Sequence, residues 1–153
     1  MFTPPILLYP ALLITLTILV LFLIPRSELR DYLPYGIVLG GLVDVALTWL
    51  LQDVFRVIRF CNLGVFHCSG QTVLSPLAWT LVITLYLYMW PQTGNLRYAY
   101  TFAWAVLATA FGEVLNNVGL FQYVAWFYPI PLFLVLLGQF VFATWISERS
   151  RAD

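Results

Sequence analysis

Five long runs of apolar residues, each broken by a short polar or proline-rich stretch, set the pattern of this chain. They extend over Pro5–Pro25, Leu33–Ile58, Val73–Trp90, Tyr98–Phe121 and Pro129–Ser147. Each is close to the roughly 20 apolar residues that a helix needs to cross a bilayer. Only helices and closed barrels satisfy their backbone polar groups in lipid, and runs this long and unbroken are helical in type. The expected fold is therefore all-α: one domain over residues 1–153, built as an integral membrane bundle of five transmembrane helices. The first run lacks the basic start and small-residue cleavage site of a secretory signal, so it is expected to remain as a span.

The arginines orient this arrangement. Arg26, Arg30, Arg97, Arg149 and Arg151 fall on one side of it, and Arg56 and Arg59 on the other. The positive-inside rule then places the N-terminus outside and the C-terminus in the cytoplasm. Tyr86, Tyr88, Trp90, Tyr98 and Tyr100 gather around the third loop, where amphipathic rings favour the interface.

Composition agrees with lipid as the main solvent. Hydrophobic residues make up 62% of the 153 and charged residues 9%, against about 25% charged in soluble domains. Seven basic residues, all arginine, balance seven acidic ones. The chain therefore has no basic field to attract nucleic acid, and its expected partners are the bilayer, other membrane proteins or further copies of itself.

Against so apolar a background, a few polar residues stand out. Asp44 lies midway along the second run, where insertion scales charge about 2.5–3.5 kcal/mol for Asp, so it is expected to face protein or water. Thr48 lies about 40° around the helix from it, on the same face. Gly36 and Gly40 precede it at four-residue spacing, a pattern that lets another helix pack closely. In the fourth run Thr109, Glu113, Asn116 and Asn117 fall within an arc of about 100°. One reading joins the two faces into a polar cleft that binds a small polar species or passes a proton. The other gives these residues a purely structural role, hydrogen-bonding helix to helix for about 0.6–2 kcal/mol each.

Cys61 and Cys68 flank the sole histidine, His67, in the second loop. Their side of the membrane permits a disulfide, with reduced, partly buried thiols as the slightly favoured reading. The spacing matches no standard zinc site and lacks a fourth ligand, so no metal is expected. No nucleophile elbow, metalloprotease motif, phosphate loop or dinucleotide fingerprint occurs, and no cofactor is expected.

Leu23-Ile24-Pro25-Arg26 with Arg30, Pro76, Trp90-Pro91, and the stretch from Glu113 through Gly119, Tyr123 and Trp126 to Tyr128 together carry a resemblance. The chain resembles a family of small uncharacterised multi-pass membrane proteins found mainly in endospore-forming bacteria. The resemblance implies a five-helix protein of the bacterial cytoplasmic membrane with Glu113 as its most distinctive residue, and it implies no substrate. The leading expectation is a non-enzymatic membrane component working through the Asp44–Glu113 cleft. Its rivals are an accessory subunit of a larger membrane complex and a lipid-modifying enzyme.

Overall fold

The structure is a computed structural model, and it describes residues 7–60, 67–68, 71–72, 74–92 and 94–152. It is mostly helical, with helices α1 (Leu8–Leu23), α2 (Arg26–Val54), α3 (Leu74–Tyr88), α4 (Gly94–Asn117) and α5 (Ile130–Ala152). Three of them, α2, α4 and α5, are long and apolar enough to cross a membrane. The other two are shorter, 16 residues in α1 and 15 in α3. At about 1.5 Å per residue they reach about 22–24 Å, less than a hydrocarbon core of about 30 Å. Large apolar side chains face outward, among them Phe22 at 86% and Ile14 at 62% exposure.

Helix α2 starts seven residues before the apolar run does, because the polar stretch from Arg26 winds directly into it. Pro34 lies inside this helix and has no N–H to donate. Just beyond it, Gly36–Leu42 adopts the wider π winding, which returns at Leu50–Val54. The apolar sequence continues to Ile58, but the helix does not. Val57 N–H bonds back to the Leu51 carbonyl at 2.8 Å, and Arg56 takes a left-handed φ of 55°. This is the closure typical of a helix C-terminus.

Helix α4 ends in a related way. Gly119 has φ 82° and donates to the Asn116 carbonyl at 3.1 Å, while Leu120 N–H reaches the Leu115 carbonyl at 2.9 Å. The residues that follow the two helices pair as an antiparallel ribbon, β1 (Ile58–Phe60) with β4 (Phe121–Tyr123), in the register Ile58 opposite Tyr123. A second small ribbon joins β2 (His67–Cys68) to β3 (Gln71–Thr72). Cys61 lies outside the described residues, so the disulfide expectation falls there too.

Helix α3 is central, packing against α1, α2 and α5. Its contact with α2 is backbone to backbone. A Cβ on Gly40 would collide with the Trp79 carbonyl oxygen and come 2.7 Å from its carbon, and one on Gly36 would collide with Thr84 Oγ1 and come 2.6 Å from the Thr80 carbonyl oxygen. The close-packing face expected from the sequence is thus used within the chain. On the other side of α3, Tyr86 is fully buried, and its hydroxyl lies 2.9 Å from both Thr101 Oγ1 and Thr144 Oγ1. Its ring stacks on Tyr100 with centroids 5.2 Å apart and tilts against Phe140 at 4.8 Å. Replacing Tyr86 with Phe should lower stability by about 1 kcal/mol, the net worth of ordinary hydrogen bonds. The loss stays small because both threonine hydroxyls keep bonds to backbone carbonyls, Arg97 at 2.9 Å and Phe140 at 3.0 Å. Denaturant titration of the purified variant checks this.

Candidate functional site

All five helices line one cavity of about 320 Å³, and Ile58 and Phe121 of the first ribbon contribute to its wall. Its lining is largely apolar, including Leu12, Leu16, Leu47, Trp79, Trp104 and Leu136. The volume lies at the lower end of the range for small-molecule pockets, about 300–1,000 Å³. Leu107 belongs to this lining and is also 62% exposed, so the cavity reaches the surface beside α4. Within the lining, Tyr9 of α1 meets Phe111 of α4 edge-on at 6.4 Å.

The polar groups of the cavity come from four elements. Asp44 and Thr48 project from α2, one turn apart, and both are buried. Ser75, in the first turn of α3, donates its hydroxyl to Asp44 Oδ2 at 2.9 Å. The Asp44 carboxyl therefore sits at the positive end of the α3 dipole, which favours an acidic group there. Tyr9 of α1 places its hydroxyl beside Ser75 and Asp44. Gln139 of α5 is 3% exposed and lines the same cavity, and its Nε2 has no hydrogen-bond partner among the described residues. Leaving a buried donor unmet costs about 1–3 kcal/mol, which sets Gln139 apart among the residues of the cavity wall.

The expected polar face of α4 lies elsewhere. The cavity-lining stripe is Trp104, Leu107, Ala108, Phe111, Gly112 and Leu115, an i, i+3, i+4, i+7 pattern. Glu113 is roughly 180° around the helix from Trp104, and Thr109, Asn116 and Asn117 share its side. None of these four lines the cavity. Thr109 returns its hydroxyl to the Ala105 carbonyl at 2.8 Å, and Asn117 is exposed. Half-buried Glu113 accepts the Tyr123 hydroxyl, and Tyr123 stacks on Tyr128 with centroids 5.0 Å apart. The Glu113, Gly119, Tyr123, Tyr128 motif therefore ties the ribbon to the end of α4.

Sequence reasoning thus placed Asp44 and Thr48 in the site and missed Tyr9, Ser75 and Gln139. Gln139 carried a usable signal, since an amide in the middle of an apolar run needs partners that lipid does not supply. Tyr9 and Ser75, near the ends of their runs, carried none. Among the described residues no group of three His, Cys, Asp or Glu side chains stands close enough to hold a metal ion. No family model matches the chain, and no curated protein or solved structure proved similar to it.

Proposed function

We propose that this chain is a five-span membrane protein, N-terminus outside and C-terminus in the cytoplasm, that binds a small amphiphile in the cavity between its helices. The carrying observation is Gln139, whose Nε2 has no hydrogen-bond partner among the described residues, set in a cavity that is otherwise mostly apolar and holds the Asp44–Ser75 pair. Apolar walls suit a hydrocarbon body. The Gln139 donor and the Asp44 acceptor suit a single polar end such as a hydroxyl, which both accepts and donates. The exposed Leu107 marks the side by which such a molecule would enter from lipid. The short helices α1 and α3 fit the five-span arrangement where the bilayer thins or flanking residues reach the interface. The arginine distribution supports the orientation, and the family resemblance supports a bacterial cytoplasmic membrane.

Binding is favoured over passage of a proton or ion because Glu113, Asn116 and Asn117 stand off the cavity, leaving Asp44 without a relay partner on α4. The accessory-subunit reading loses its motif, since Gly36 and Gly40 face α3 of the same chain. A lipid-modifying enzyme is the second reading, favoured by the Asp44–Ser75 pair in a side-opening cavity. Thermal unfolding of the detergent-purified protein with 1-decanol or n-decane, at equal free concentrations, tests the first reading. A ligand that binds only the folded state stabilises it by mass action. Decanol should raise the midpoint more than decane, and equal shifts would refute a polar anchoring point. Conversion of the bound alcohol would move the balance to the enzyme.

A further inference from the structure

A second cavity, of about 640 Å³, opens at the end of α2 and is lined by Gln52, Asp53, Arg56, Arg59, Gln122 and Tyr123 among others. Ile58 belongs to its wall and to that of the first cavity. Helix α2 is long and apolar enough to cross a membrane and ends at Val54. On the five-span reading proposed above, on which this inference rests, the pocket begins where α2 leaves hydrocarbon for the headgroup layer. Two arginines and one aspartate line it, so its formal charge favours an anion.

The backbone adds an independent observation. Arg56 occupies the left-handed position that closes α2, with φ 55°, clamped by Phe55 N–H to the Leu50 carbonyl at 2.9 Å and Val57 N–H to the Leu51 carbonyl at 2.8 Å. Glycine is the usual residue there, because a Cβ strains that conformation. Strain held in place by the surrounding structure is a pointer to function. Here the side chain kept at that expense is an arginine on the wall of a pocket. Arg56 has no ion-pair partner among the described residues. The planar guanidinium matches two phosphate oxygens at once, which an ammonium does not.

We propose that this pocket binds the phosphate of an anionic lipid headgroup, with Arg56 and Arg59 as its cationic grip and Gln52 and Gln122 as neutral polar wall. The test uses the full chain in nanodiscs of equal parts phosphatidylcholine and phosphatidylglycerol, with retained lipid read by native mass spectrometry. Phosphatidylglycerol should be retained over phosphatidylcholine. Arg56→Gly and Arg59→Gln should each lower that retention by about tenfold, the scale of a lost charge-assisted contact. Arg56→Gly suits the left-handed backbone, so the variant should fold at least as well as the wild type, and its decanol response should be unchanged. Unchanged lipid retention in both variants would overturn the proposal. Calorimetric binding of inorganic phosphate, abolished by Arg56→Gly and without any lipid preference, would overturn the lipid source.

Discussion

A valine at Gly40 should destabilise the protein by about 3 kcal/mol or more, the upper end of the range for overpacking. Its Cβ would meet the Trp79 carbonyl group and come 3.0 Å from the Thr80 backbone nitrogen, and backbone atoms of a central helix cannot turn aside as a flexible side chain can. Accommodation requires α2 and α3 to separate, which would also pull Asp44 from Ser75, one turn further along α2. The control is Gly138→Ala in α5, where a Cβ meets nothing within 4 Å. That variant should unfold at or slightly above the wild-type midpoint, because alanine is the better helix former. Unfolding in mixed micelles distinguishes the two. If both variants behave alike, the close seam between α2 and α3 is not what holds these helices together.

Replacing Gln139 with Leu should move stability and binding in opposite directions. The ligand-free protein should gain about 1–3 kcal/mol, because a buried amide with an unmet Nε2 is exchanged for an apolar side chain of similar size. Decanol affinity should fall by about tenfold, the equivalent of about 1.4 kcal/mol for a lost hydrogen bond and its orientation. Asp44→Asn is the companion variant. It keeps a group able to accept from Ser75 and should weaken binding without unfolding the bundle. A Gln139→Leu protein that loses stability would show the amide to be satisfied within the fold, removing the main support for a ligand there.

The helices were legible in the sequence because apolar runs of about 20 residues leave few interpretations. The position of Asp44 was legible for the same reason, since an acid in mid-run must be sheltered, and Asp44 is 7% exposed. The Gly36–Gly40 spacing announced close packing but not its partner, which proved to be α3 of the same chain. Glu113 shows where the reading ran out. A helical wheel groups Thr109, Glu113, Asn116 and Asn117, yet a wheel does not say which neighbour a face meets. The opposite, apolar face of α4 is the one turned to Asp44 and the cavity. The ribbon was hidden because Ile58 and Phe121 continue apolar runs. The run to Phe121 passed over Gly119, whose residue type suits the stop found there, whereas Arg56 holds a left-handed position that nothing in its residue type announces.

The glycine seam also decides which parts of the bundle are stiff. Where two backbones touch with no side chains between them, there is no rotamer freedom to take up a displacement, so α2 and α3 behave as one rod carrying Asp44, Thr48 and Ser75 at fixed separations. Among the described residues helix α4 has no such seam with α1, which it meets at the edge-on rings of Tyr9 and Phe111. A chamber that must widen for an occupant is therefore expected to do so on the α4 side, with the Asp44–Ser75 pair held in place by the seam.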